Sequence, residues 1–148
     1  MEETRQLLRH LVATLAHRAG LCLRDAPAGF GDFSAGAGVR TPAELVRHLS
    51  DLMSFTQGIL TGGALREAPA RDWEGEIEGF RAALRELDAA LASAAQWRND
   101  PRIALQGPLS DALTHVGQLA LLRRLAGSPI TSGHYPTAPI RAGRVGLD

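Results

Sequence analysis

Apolar residues recur every three or four positions in four separate stretches of this chain, and segments rich in glycine or proline separate the stretches. Such spacing is typical of an α-helix with one buried face, because the helical period is about 3.6 residues. An apolar helical face is stable only when other elements cover it. The pattern therefore predicts an all-α protein, and the length of 148 residues suits a single domain over residues 1 to 148.

The first predicted helix covers residues 2 to 24 and ends before Pro27, which disfavours helical dihedral angles in the residue before it. Its polar face carries His10 and His17, which we interpret as solvated or partner-facing side chains. Cys22 lies on the apolar stripe, where a small buried side chain is a simpler role than a nucleophile. The expected stripe consists of Leu7, Leu8, Leu11, Val12, Leu15, Ala19 and Cys22.

The second predicted helix runs from residue 41 to about residue 60. Its first four residues, T-P-A-E, are a strong start signal, because the Thr41 hydroxyl caps the first turn and Glu44 reaches back to the capping amide. The apolar stripe is expected to include Phe55, and Ser50 is expected on the polar face. His48 projects about 60° from the centre of the stripe, towards the buried side, so it needs an explanation.

The remaining chain predicts two more helices and a tail. The third helix begins near Asp72 and ends ahead of Pro101. The fourth helix is expected from Gly107 to Ala126, and its leucines lie nearly all round, as in the most buried helix of a bundle. Glycines and prolines beyond Ile130 exclude a long helix there, so we expect an extended C-terminal tail.

The charge balance excludes several classes of function. Sixteen basic and sixteen acidic residues cancel, so no broad positive field attracts nucleic acid or acidic membrane. All the basic residues are arginine, which excludes a Schiff-base lysine or a phosphate-loop lysine. The glycine-rich stretch from residue 29 to 38 is therefore interpreted as an ordinary connection.

The expected location is the cytoplasm. A single cysteine cannot form an internal disulfide, and this fits a reducing compartment. The first residues lack the features of a signal peptide, and no apolar run approaches the roughly 20 residues that span a bilayer. The sequence ends at Asp148 without a helix or capping signal, so a slightly longer natural chain is left open as an alternative.

The candidate site consists of Asp111 and His115 from the fourth helix and His48 from the second. On the fourth helix Asp111, His115 and Gln118 follow one another at spacings of four and three residues, which places them in one row. A carboxylate on an apolar helix needs a partner, and Asp111 with His115 can form a platform for a divalent cation. His48 adds a third candidate ligand from another helix. A metal-free Asp–His hydrogen bond, a helix cap and a buried polar network remain alternatives at this point.

These residues resemble the DinB/YfiT-like superfamily. The resemblance covers most of the chain, and it rests on the helix that begins T-P-A-E and carries His48, and on the segment D-A-L-T-H-V-G-Q-L-A-L-L-R-R-L-A-G at positions 111 to 127. The tail adds Tyr135, the residues A-P-I at 138 to 140 and G-R-V-G at 143 to 146. The resemblance implies an up-down four-helix bundle of the DinB type with an extended C-terminal tail.

The resemblance also implies a metal site and a class of activity. Carried over, His48 would be the ligand from the second helix and His115 the second member of a histidine pair on the fourth. Asp111 stands where the family has a histidine, which keeps a ligand but changes its charge and hardness. The implied activity is that of a metal-dependent enzyme on a small molecule, a transferase using a low-molecular-weight thiol or a metal-assisted hydrolase. Zinc or nickel is the expected ion, and a homodimer the expected assembly.

Two rival hypotheses belong to other classes. The metal would only stabilise the bundle in a non-catalytic or stress-response module, and a metal-free dimerisation protein would hold no ion at all. Among the other polar residues, Gln118 is interpreted as a packing residue or a hydrogen-bond partner of a ligand. His134 is a minor candidate for a fourth ligand, and Arg123 and Arg124 are interpreted as surface or interface charges.

Overall fold

The computed structural model describes residues 1–63, 65, 67, 69–131 and 133–148. Within these ranges the secondary structure is helical and contains no β-strand, which confirms the all-α prediction. Two short 3₁₀ turns lie outside the main helices, at Phe30–Asp32 and Tyr135–Thr137. The helices are α1 (Glu2–Leu23), α2 (Pro42–Thr61), α3 (Trp73–Ser93), the one-turn α4 (Pro101–Ala104) and α5 (Ser110–Leu125).

The four long helices close into a ring around one core. Helix α1 packs against α3 and α5, and α2 packs against the same two helices from the other side. Each helix therefore buries its apolar stripe against two neighbours, which is how an amphipathic helix removes that stripe from water. The largest fully buried side chains are Phe30, Phe80, Leu15, Leu45, Leu49, Met53, Leu60, Leu84, Leu87, Leu91, Leu109 and Leu119.

The start of α2 forms as the sequence predicts. The amide of Glu44 donates to Thr41 Oγ1 at 3.3 Å, and the amide of Thr41 donates to Glu44 Oε2 at 2.8 Å. This reciprocal pair satisfies two amides that the helix itself leaves without partners. Because the cap fixes where α2 begins, it also fixes the rotational position of His48 two turns later.

The predicted bounds of the last two helices are wrong. Helix α3 ends at Ser93, several residues before the expected stop. Helical structure resumes at Pro101 rather than at Gly107, and Gly107 (φ −97°, ψ −106°) then interrupts it before α5. Pro108 has no N–H to donate, and the Ser110 hydroxyl donates to the Leu105 carbonyl at 2.6 Å. The sequence signals of Gly107 and Pro108 therefore mark a kink inside a helical segment, not its beginning.

Several side chains lie on the opposite face from the predicted one. Leu7 is 66% exposed and Phe55 is 44% exposed, although both belong to predicted apolar stripes. Ser50 is buried, and its hydroxyl donates to the Val46 carbonyl. Helix α5 is not buried all round, because Leu121 and Leu125 face solvent. A stripe predicted from period alone is wider than the face that neighbouring helices cover.

The C-terminal tail lies along α1, and position 132 of it is outside the described residues. Val145 and Leu147 are buried in the core, so the tail is part of the packed structure. A Cβ atom on Gly20 would lie 2.5 Å from the Leu147 carbonyl oxygen, so this crossing requires a glycine in α1. Gly143 has a φ of +87°, which directs the chain back towards α1.

Arg123 is buried, which contradicts its interpretation as a surface charge. It is 4% exposed, and its guanidinium makes five hydrogen bonds in the turn region beyond α1 and α5. Four of the acceptors are the carbonyl oxygens of Cys22, Arg24, Asp25 and Ser128, and the fifth is the Ser128 hydroxyl. We call this the Arg123 cluster. Carbonyls at a helix C-terminus carry partial negative charge, and this favours a cation there.

Two ion pairs also connect helices that the sequence did not pair. Arg9 of α1 donates twice to the Asp88 carboxylate of α3, at 2.9 Å each. Arg47 of α2 donates to Glu76 of α3 at 2.8 Å, and Glu76 is fully buried. Partners this far apart in sequence carry no periodic signal, so helical spacing could not predict them.

Within the described ranges, no helix is both long enough and apolar enough to cross a lipid bilayer.

Candidate metal centre

The structure brings the three predicted ligands together. His48 extends from the second turn of α2, and Asp111 and His115 extend from neighbouring turns of α5. One ligand atom from each side chain lies within 4.8 Å of the other two. Among the described residues, this is the sole group of three or more histidine, cysteine or acidic side chains whose ligand atoms meet in this way.

The separations between the ligand atoms suit a small divalent ion. Asp111 Oδ2 lies 3.3 Å from His115 Nε2 and 3.6 Å from His48 Nε2. Two ligands bound at the usual distance of a tetrahedral zinc ion lie about 3.3 Å apart. The imidazole rings meet edge to face, with centroids 4.7 Å apart and planes at 82°. The donor set, two nitrogens and one oxygen, is one that zinc accepts.

Gln118 orients the His115 ring. Its Oε1 atom lies 2.8 Å from His115 Nδ1. An amide oxygen can only accept a hydrogen bond, so Nδ1 carries the proton and donates it. Nε2 of a neutral His115 then has a free lone pair directed at Asp111, which is the state that binds a metal. This contact agrees with the interpretation of Gln118 as a hydrogen-bond partner of His115, and its role beside a metal ligand stays a prediction.

The facing atoms of Asp111 and His115 require a cation or a proton between them. With Nδ1 protonated, Nε2 of neutral His115 and Asp111 Oδ2 are two acceptors that face each other at 3.3 Å. Two facing acceptors repel unless a cation or a proton lies between them. The residues present therefore fit a bound divalent ion, and a proton on Nε2 is the alternative.

The surroundings of His48 favour its neutral imidazole. Burial lowers the pKa of His48 below its ordinary value, and the positive charge of Arg40 and the neighbouring His115 lower it further. The hydrogen bond and charge of Asp111 act in the opposite direction and are the smaller contributions to the pKa. Because a histidine binds a metal only in its neutral form, this lowered pKa favours ligation near neutral pH.

Asp111 is exposed, which corrects the expectation of a buried carboxylate. Its side chain is 48% exposed, against 10% for His115 and 30% for His48. Because water solvates the exposed carboxylate, Asp111 does not need a partner to offset the cost of desolvation. Burial therefore does not require Asp111 to bind a metal. The exposure has another consequence, because an ion at Asp111 would be open to solvent on one side.

An open groove of about 510 Å³ adjoins the ligand cluster. Leu52 and Phe55 of α2 form an apolar wall, and Asp111 and Thr114 form the polar side. The kink at Gly107 provides the remaining wall, so the unexpected interruption of the helix shapes the groove. A volume of this size accommodates a small molecule. We call this the α2–α5 groove.

The minor candidates do not join the site. His134 is exposed in the tail, where its Nδ1 lies 3.3 Å from the Thr137 hydroxyl, and it is not part of the ligand group. Cys22 is buried, and burial raises the pKa of its thiol to about 11, which agrees with the interpretation of a structural side chain. Phe55 was predicted to lie in the core, but its side chain is exposed in the groove. The apolar pattern of α2 did not predict this exposure.

Comparison with known proteins gives no family: no family model matches the chain, and neither curated proteins nor solved structures give a significant match.

Proposed function

We propose that this chain is a divalent-metal-dependent enzyme of the DinB-like superfamily that acts on a small molecule. The reaction is transfer to or from a low-molecular-weight thiol, or metal-assisted hydrolysis. The observation that carries the proposal is the convergence of His48, Asp111 and His115 from two helices at separations that suit a small ion. Their position beside an open groove supports a catalytic role over a purely structural one, since catalytic sites keep a coordination position free.

Each polar residue has a distinct task in this proposal. A divalent ion, when bound, would lower the pKa of a water or thiol at its open position. Two histidines and one carboxylate would hold that ion, with zinc or nickel as the proposed metals. Gln118 holds the His115 ring so that Nε2 faces Asp111. None of these residues needs to transfer a proton in the reaction.

The apolar wall of the α2–α5 groove predicts a substrate that is partly apolar. Leu52 and Phe55 lie beside Asp111, and Phe55 exposes an aromatic ring that folding alone leaves in water. A substrate with an apolar portion would cover this ring and exclude water from the site. We therefore expect Phe55→Ala to raise KM much more than it lowers kcat.

The thiol belongs to a small molecule and not to the chain. Cys22 is the sole cysteine of the sequence, and it is buried and is not part of the ligand group. A transferase mechanism therefore needs an external thiol of the glutathione, mycothiol or bacillithiol type. The proton balance is simple: the thiol proton goes to solvent, the sulfur forms a bond to an electrophilic carbon, and the leaving group departs with the electrons of the broken bond.

Assembly as a homodimer is part of the same proposal. Leu121 and Leu125 are exposed on α5, and a second copy could cover them. Sedimentation velocity of the wild type and of Leu121→Glu tests this part separately. A monomeric wild type at tens of micromolar would remove the dimer from the proposal and leave the metal site unaffected.

The activity is tested on protein loaded with zinc or nickel. Low-molecular-weight thiols are titrated and followed by thiolate absorbance, and ester, amide and electrophilic substrates are then screened. The expected result is a thiol or hydrolysis signal that is absent in His48→Ala and present in the control His10→Ala, which changes an exposed histidine of α1. Stoichiometric metal without thiol binding or hydrolysis would contradict the enzyme and favour a non-catalytic metal-binding bundle.

A further inference from the structure

A second groove, of about 670 Å³, lies on a different part of the molecule. It runs between the C-terminal tail and helices α1 and α3, and it shares no lining residue with the α2–α5 groove. Its volume is within the range of small-molecule sites. We call it the tail groove.

The lining of the tail groove is strongly basic. Arg24 follows α1, Arg85 belongs to α3 and Arg144 belongs to the tail, so three separate segments each supply an arginine to the lining. His17 of α1 adds an imidazole, and Asp148 is the one acidic residue of the lining. The chain as a whole has no net charge, so this concentration of arginine is local and does not follow from composition.

These arginines have no carboxylate partner in the described part of the chain. Ion pairs there join Arg5, Arg9, Arg47, Arg81 and Arg102 to acidic side chains, and none includes Arg24, Arg85 or Arg144. Asp148 also forms no ion pair within the same residues. Like charges that share a groove repel one another unless an anion lies between them. The Arg123 cluster is different, because there four carbonyl oxygens and the Ser128 hydroxyl accept every guanidinium hydrogen.

The tail adds two residues with unpaired backbone amides to the lining of the same groove. Val145 and Gly146 line it, and their amides make no hydrogen bond to an acceptor among the described residues. The packing that holds these amides in place is firm, because the side chains of Val145 and Leu147 are buried. Backbone amides beside guanidinium groups are a frequent arrangement in anion sites.

The geometry points to a binding site for the phosphate group of a small molecule in the tail groove. Several guanidiniums that approach from different segments suit a tetrahedral dianion, whereas a single carboxylate is satisfied by one arginine. Nucleic acid is a poor fit, since the lining contains no phenylalanine, tyrosine or tryptophan for stacking on bases. The inference is independent of the metal centre.

The test is calorimetric titration of metal-stripped wild-type protein with pyrophosphate, inorganic phosphate, phenyl phosphate and malonate at fixed ionic strength. We expect saturable binding of the phosphate compounds and no comparable binding of malonate. Tighter binding of phenyl phosphate than of inorganic phosphate would identify a phosphate ester as the ligand, and the reverse order would identify free phosphate. In both cases the amide NMR signals of Val145 and Gly146 should shift on titration.

Matched variants locate the site. Arg85→Gln and Arg144→Gln should each weaken binding by about tenfold, the loss expected for one charge-assisted hydrogen bond. Arg124→Gln removes the same charge from an exposed position of α5 that lies outside the groove, so its binding should stay within about twofold of wild type after general electrostatic screening. His115→Ala should bind phosphate as the wild type does, which separates this site from the metal centre.

Three results would overturn the inference: no saturable binding by any phosphate compound, equally strong binding of malonate, or equal weakening by Arg124→Gln and the groove variants. Because the substituted arginines are exposed, the variants should fold, and an unchanged circular dichroism spectrum checks this.

Discussion

The Arg123 cluster and the metal centre are two polar clusters on α5 that handle charge in opposite ways. Arg123 is almost fully buried, and each of its five N–H groups has an oxygen acceptor. Asp111 is half exposed, and its carboxylate faces the Nε2 atoms of His48 and His115 at 3.6 and 3.3 Å. The hydrogen bonds of the first cluster are complete within the fold, whereas the second cluster is open to a proton or a cation.

This difference separates a structural from a functional role better than burial does. Burial alone would select Arg123 as the unusual residue, because a buried cation is costly when it lacks partners. All the hydrogen-bond acceptors of Arg123 are present, so the fold itself offsets the cost of burying its charge. The candidate metal centre has more exposed side chains that could hold an ion, which is the property expected of a binding site.

The largest effect is expected from breaking the Arg123 cluster. Arg123→Met removes all five hydrogen bonds and leaves buried carbonyls without donors, so unfolding in urea should show a loss of about 3 kcal/mol or more. The neighbouring Arg124→Met changes an exposed residue and should stay within about 0.5 kcal/mol of wild type. Equal stability of the two variants would show that the cluster does not hold the ends of α1 and α5 together.

The metal centre should add stability only when its ion is present. At a free zinc concentration of 100 times Kd, the free energy of unfolding should rise by about 2.7 kcal/mol. His48→Ala and His115→Ala should lose this increment, and His10→Ala should keep it, because His10 is exposed on α1. Arg123→Met should also keep the increment, since the two clusters share no residue. An unchanged increment in His48→Ala would place the ion elsewhere.

Gln118 is expected to tune the metal centre without binding the ion. Gln118→Leu removes the acceptor of the His115 Nδ1 proton and should weaken zinc binding by about 10-fold, measured by competition with a chromophoric chelator. Gln118→Glu keeps an acceptor and should bind at least as tightly as the wild type. If both variants bound zinc as tightly as the wild type, the hydrogen bond would not orient the ligand.

The smallest effect concerns Cys22, whose carbonyl belongs to the Arg123 cluster. Burial raises the pKa of its thiol to about 11, while the nearby Arg123 charge lowers it. An unfolded thiol ionises at lower pH, so wild-type stability should fall as the pH rises from the ordinary thiol value towards 11. Cys22→Ala should lack that part of the decline. Labelling of native Cys22 at pH 8 should be much slower than labelling in urea, and equal rates would contradict its burial.

Much of the fold followed from local sequence signals. The Thr41 cap and the helical periods are properties of neighbouring residues, so they predicted α1 and α2 closely. The residues of the candidate site could also be predicted from the sequence, because Asp111 and His115 share a helical row and His48 breaks an apolar pattern. What the sequence did not contain was the distance between α2 and α5, which only packing determines.

The failures have one physical cause, which is dependence on distant contacts. Arg123 reads as a surface charge until the carbonyls beyond α1 lie next to it. Phe55 reads as core until the groove beside the Gly107 kink leaves its ring exposed. Asp111 reads as buried because its helix is rich in leucine, yet its own turn faces solvent. In each case the sequence indicated the local chemistry of the residue but not its tertiary surroundings.

The most direct test of the metal centre is the metal content of protein purified without a histidine tag, measured by mass spectrometry. Wild type, His10→Ala and Arg124→Gln should each hold close to one equivalent of a divalent ion after reconstitution with zinc or nickel. His48→Ala and His115→Ala should each lose it, because each removes one of the ligands that meet at Asp111. Wild-type protein that binds no ion under these conditions would contradict the account and leave a proton between Asp111 and His115.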